Sequence, residues 1–163
     1  MDTFVDVMRG GRVESRHRVH MAVADGSGGT VLAVGEPGIG TFLRSAAKPF
    51  QALPLVEDGV ADAIGLTRQE LALCCASHSG EEKHVRGVRS ILAKAGLGED
   101  DLACGPHAPF HEPDAHRLIV AGEPPRRIHN NCSGKHAGML ALAVHHGWPT
   151  GGYHEADHPV QAR

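Results

Sequence analysis

The sequence predicts a mixed α/β chain of the α+β kind, folded as a single domain over residues 1–163. Three observations carry this. Val13, Ser15, His17, Val19, Met21 and Val23 share one parity of the segment Arg12 to Ala24, which is the period of a half-buried strand. The cluster Asp25-Gly26-Ser27-Gly28-Gly29 then separates that run from a second one, Thr30 to Gly35, as the loop of a β-hairpin does. From Ser45 onward the apolar spacing becomes helical.

The later elements follow in order. Residues 36–42 are a Gly/Pro-rich connection. Ser45 to Glu57 is helical in character but holds two prolines. Pro49 suits an opening turn, whereas Pro54 is expected to kink or end the helix. Thr67 with Glu70, and again Ser79 with Glu82, have the spacing of a capping box. Behind the second, Val85, Val88, Ile91 and Leu92 share one helix face, and Gly96 is expected to stop that helix. Residues 104–127 read as an extended loop with a short helix near Asp114 to Val120. Ser133 to His146 reads as a helix with a buried stripe of Met139, Leu140, Ala143 and Val144, ended by Gly147. After a turn-like tail from Trp148, the run His158-Pro159-Val160-Gln161 opens a further helix.

Composition narrows the function. The net charge is −3 with scattered basic residues, which argues against nucleic acid as a partner. No apolar run approaches the ~20 residues of a membrane span, and Met1 to Gly10 lacks the pattern of a signal peptide. Cys74, Cys75, Cys104 and Cys132 form no regular framework of pairs. They read as reduced thiols of a cytoplasmic protein. The 13 histidines show no zinc-protease spacing and read mostly as surface or turn residues.

Three segments could carry chemistry. In Arg44-Ser45-Ala46-Ala47-Lys48, a helix opening at Ser45 puts Lys48 one turn on and on the same face, about 4.5 Å along the axis. A hydroxyl becomes a nucleophile only when a base takes its proton. A lysine serves as that base once burial lowers its pKa. Free N–H groups at the helix start could hold an oxyanion. Taken alone the motif is weak, since a serine cap beside a solvated lysine produces it more often. In Cys75-Ala76-Ser77-His78-Ser79-Gly80-Glu81, Ser79 has a capping role, so Ser77 is the hydroxyl left for function. In His129-Asn130-Asn131-Cys132-Ser133-Gly134-Lys135-His136, Cys132 and Lys135 are three apart and share a face. A thiolate is a strong zinc ligand, although Cys132 reads equally as a structural thiol. Gly134-Lys135 is no phosphate-binding loop, because His129 and His136 stand where that motif needs Gly and Ser or Thr.

Together these blocks resemble the signature segments of the bacterial asparaginase II family of the rhizobial, thermolabile type. The match is strongest in Arg44 to Gln51, Cys75 to Glu81 and Asn130 to Met139, with support from Val13 to His17. The resemblance implies a fold like that of serine β-lactamases and glutaminases, and hydrolysis of L-asparagine to L-aspartate and ammonia through an acyl-enzyme. It implies Ser45 as nucleophile, Lys48 as its base and Ser77 as a second serine that relays protons or holds substrate. Cys132 and Lys135 become two ligands of a zinc ion, Arg44 a residue that steadies the site and contacts substrate, and His136 a neighbour of the substrate. It implies a homodimer for the full-length protein. Family members are roughly twice as long, and their second half supplies another lysine and another cysteine. Here cysteines end at Cys132 and lysines at Lys135. The expectation is therefore an N-terminal portion with an incomplete fold, an incomplete zinc site and weak activity alone. The alternatives are another Ser-Lys amidohydrolase, such as a glutaminase or β-lactamase-like hydrolase, and a non-catalytic fragment.

Overall fold

A computed structural model describes residues 3–163. It is a mixture of helices and small antiparallel sheets, as expected of the fold class. The chain divides into two compact units, residues 1–42 and 43–163.

The first unit holds two hairpins. Strand β1 (Thr3–Arg9) pairs antiparallel with β2 (Arg12–Val19), and β3 (Met21–Ala24) pairs antiparallel with β4 (Thr30–Val34). The expected strand Arg12 to Ala24 is thus two strands, broken at His20, whose ring accepts the backbone N–H of Glu36 at 2.8 Å. The β3–β4 loop forms as the composition foretold. One carboxylate oxygen of Asp25 accepts the N–H groups of Ser27 and Gly29, at 2.9 and 2.8 Å, so the short side chain satisfies the backbone that the turn leaves unpaired.

The second unit is helical. A 3-10 turn, Arg44–Ala47, runs directly into α1 (Lys48–Glu57). The short helix α2 (Val60–Ala63) and then α3 (Arg68–Cys74) follow. Next come α4 (Glu82–Lys94), α5 (Glu112–Ala121), α6 (Ser133–His146) and the short α7 (Pro159–Ala162). Helix α6 is central and packs on α1, α3 and α4. Along it Ala137, Leu140, Ala141, Leu142 and Ala143 are buried, joined by Leu55 of α1, Cys74 of α3 and Val88, Ile91 and Leu92 of α4. Burial of this apolar stripe holds the unit together at roughly 25 cal/mol per Å² of apolar surface removed from water.

Two expectations about helix ends are corrected. Pro54 does not end α1, which continues to Glu57. The carbonyl a proline deprives of its partner is four residues back, here that of Phe50, an exposed residue that water can serve. Ser79 does not cap α4, whose N-cap is Glu81 with no side-chain cap bond. Thr67, by contrast, forms a full capping box with Glu70. Val144 also leaves the buried stripe and stands 40% exposed.

Close approach of α6 to α3 needs glycine at two points. A Cβ on Gly138 would lie 2.9 Å from the Cys74 sulfur, and one on Gly134 would meet the backbone carbonyl of Leu73. Gly134 thus serves helix packing. It brings the head of α6, with Cys132 and Lys135, against the end of α3, from which the Ala76–Ser77 loop departs.

Candidate active site

The second unit brings the serine and lysine candidates together. Ser45 lies in the 3-10 turn and Lys48 is the first residue of α1. In 3-10 geometry residues three apart lie one above the other. The turn begins at Arg44, which has φ of 50°, a left-handed conformation costing a non-glycine residue roughly 1–2 kcal/mol. The Lys48 side chain is only 2% exposed. Its amine donates to the Ser77 hydroxyl at 2.5 Å and to the Ala76 carbonyl at 3.0 Å. The Ser77 hydroxyl in turn lies 2.9 Å from that of Ser45. The expected direct contact between Ser45 and Lys48 is therefore mediated: Ser77 stands between them. Both hydroxyls belong to exposed residues, while the amine is buried.

The polarity of this row depends on the amine. A charged amine donates to Ser77, and Ser77 donates to Ser45. A neutral amine accepts, so the row reverses and Ser45 donates to Ser77. Only the second arrangement directs the Ser45 proton towards a base that can take it. One expected oxyanion donor is already used, because the N–H of Ala46 donates to the Leu43 carbonyl at 3.1 Å.

His78, which the sequence alone did not single out, fixes the loop that presents Ser77. It is buried, with its Nε2 2.9 Å from the Ser133 hydroxyl and its Nδ1 accepting the Gly80 N–H at 3.2 Å. Ser133 donates onward to the Ile128 carbonyl at 2.9 Å. With Nδ1 accepting, the proton sits on Nε2, and the ring is neutral. Burial, with smaller contributions from His84 and Lys48, lowers its pKa to about 4. Gly80 has φ of 76°, a backbone shape that favours glycine. The serines flanking His78 were a signal of a site loop, but nothing local marks a histidine as buried.

His136 sits on the first turn of α6. Its Nδ1 is 2.7 Å from the Tyr153 hydroxyl, which also accepts the Ala103 N–H at 2.8 Å. Burial first, then the charges of Lys135, His154 and Lys48, lower the histidine's pKa to about 4. The charge of Lys48 acts on both His78 and His136. The side chain of Arg44 is exposed.

Cys132 is the N-cap residue of α6, and its N–H is held by the Asn130 side chain at 2.8 Å. The buried Cys104 thiol is pushed up to about 11 by burial, with added repulsion from Cys132. Among the described residues no three His, Cys, Asp or Glu side chains gather where they could hold a metal ion. Cys132 and Lys135 by themselves fall short of the three or four protein ligands of a zinc site.

A cleft of about 610 Å³ opens between α3 and α4, lined among others by Ala72, Leu73, Ala76, Ser77, Ser79 and Lys83. It takes in one member of the hydroxyl–amine row, Ser77, but neither Ser45 nor Lys48. No described helix is long and apolar enough to cross a membrane.

The family model of L-asparaginase II matches residues 5–163. The chain belongs to the L-asparaginase II family. A search among curated proteins found no match. Family membership makes this asparaginase II chain an amidohydrolase of asparaginase type, acting on a small-molecule amide. It also accounts for the three motif blocks, all of which lie inside the matched residues.

Proposed function

We propose that the chain hydrolyses L-asparagine to L-aspartate and ammonia, with Ser45 as nucleophile and Lys48 as base acting through Ser77. The unbroken row from Lys48 Nζ to Ser77 Oγ to Ser45 Oγ, at 2.5 and 2.9 Å, carries this reading. Once the amine has given up its own proton, it takes that of Ser77 while Ser77 takes that of Ser45. The freed Ser45 oxygen attacks the side-chain amide carbon of asparagine. The proton returns along the row to the departing nitrogen, and ammonia leaves an ester on Ser45. Water then gives a proton to the same row and attacks the ester, and the row returns that proton to the Ser45 oxygen as aspartate leaves. Direct contact of Lys48 with Ser77, and the place of Ser77 in the cleft wall, favour a second reading in which Ser77 is the nucleophile and Ser45 its neighbour.

Ammonia release from L-asparagine, L-glutamine and a chromogenic β-lactam separates asparaginase from the other Ser-Lys hydrolases. Ser45→Ala is expected to lower turnover of asparagine by at least about 10³-fold. Ser77→Ala is expected to lower it by about 10²- to 10⁴-fold, the range of a proton-transfer role. Mass mapping of a trapped acyl-enzyme decides between the serines. An adduct on Ser77, or full activity of Ser45→Ala, overturns the assignment.

A further inference from the structure

Free asparagine presents two charges beside its amide, and the row of Ser45, Ser77 and Lys48 offers no group for its carboxylate. The cleft that shares Ser77 does. Its walls at Ala72, Leu73 and Ala76 are apolar, and among the described residues Lys83 is the one cationic residue of the lining besides its histidines. The histidines of the same lining do not compete for the role. His78 and His84 are both held below the ordinary histidine range, each chiefly by burial. Lys83 is also aimed. Glu81 faces its amine at 2.8 Å with one carboxylate oxygen and accepts the Ser79 hydroxyl at 2.8 Å with the other. A long cation that would otherwise sweep through solvent is thus tied to the loop that carries Ser77.

We propose that Lys83 forms a carboxylate subsite in this cleft and selects free α-amino-acid amides, gripping the α-carboxylate while the side-chain amide reaches the serines. Glu81 is a positioning residue that fixes the lysine. This subsite rests on the amidohydrolase reading above. A charge-assisted hydrogen bond to a carboxylate strengthens binding by about 10- to 100-fold. The Lys83 side chain is 63% exposed, so replacing it leaves the core of the unit intact.

The test compares two amides. L-asparagine has the carboxylate, whereas 3-aminopropanamide is the same molecule without it. Lys83→Ala is expected to raise KM for asparagine about 10- to 100-fold with kcat within about twofold. It leaves 3-aminopropanamide unaffected, and Lys83→Arg restores most of the loss. Equal effects on the two amides, or an unchanged KM for asparagine, overturn the subsite while the hydrolytic reading stands. If no amide releases ammonia, the hydrolytic reading fails and calorimetric binding of L-aspartate decides the subsite. Binding that Lys83→Ala weakens about tenfold or more supports it, and binding that is absent or unchanged overturns it.

Discussion

Ser77 and His78 are adjacent but differently placed, one exposed in the hydroxyl–amine row and one buried beneath it. The ring of His78 ties residues 78–80 to the first residue of α6, because it accepts from Gly80 and donates to Ser133. His78→Phe keeps the volume but deletes both bonds and leaves the Gly80 N–H without its acceptor. Such losses in a buried network cost about 2–4 kcal/mol. We expect urea unfolding to show that loss, with a coupling of about 1 kcal/mol to Ser133→Ala in a double-mutant cycle. A variant as stable as the parent removes His78 from this role. The sequence made Ser77 legible and His78 not, for a physical reason. Ser77 stood out because its neighbour Ser79 had a plausible capping role. The burial of His78 depends on Ser133 and Ile128, which lie more than fifty and just fifty residues away in the chain. The place of Ser77 between Ser45 and Lys48 was hidden for the same reason, since the Lys48–Ser77 contact spans 29 residues.

Helices α4 and α6 were readable because their apolar residues recur on one face and their stops are glycines, Gly96 and Gly147, both with positive φ. The capping box at Thr67 was readable for the same local reason. Its twin at Ser79 failed because the Ser79 hydroxyl is spent on Glu81 instead. Strand β1 escaped notice because its pairing with β2 is a tertiary fact that neither run announces alone. Packing of α6 on α3 belongs to this scale too. Gly138→Ala puts a methyl group 2.9 Å from the Cys74 sulfur and 3.0 Å from a Leu55 methyl carbon. Overpacking of this kind costs about 1–3 kcal/mol, more than the small gain in helix propensity that alanine brings. A lowered thermal midpoint is the expected result. A raised one shows that the interface between these helices yields without cost.

At the scale of the whole molecule, buried histidines set the response to acid. His78 and His136 are each lowered to about 4, and His84 and His129 are lowered as well, with burial the largest cause in every case. In the unfolded chain each of these rings takes a proton near its ordinary value of 6.5. Between pH 6.5 and 4 the unfolded state therefore binds more protons than the folded one, and stability must fall as pH falls through that window. For His78, 4% exposed, the difference between 6.5 and about 4 corresponds to about 3 kcal/mol at full protonation of the unfolded ring. Glu70 acts later. Burial opposes its charge, but Lys94 at 2.6 Å and the Thr67 cap outweigh it and hold its pKa at about 2. That carboxylate is fully stabilising above its ordinary value of 4.5, and its contribution is lost as pH falls from there towards 2. Urea unfolding at a series of pH values is expected to show one decline beginning below pH 6.5 and a second below about 4.5. His78→Phe should make the first shallower, since His136, His84 and His129 remain, and leave the second, whereas Glu70→Gln should flatten the second and leave the first. Constant stability from pH 7 down to 5 would mean that these histidines are charged in the folded chain, and the hydrogen bonds that place their protons would have to be redrawn.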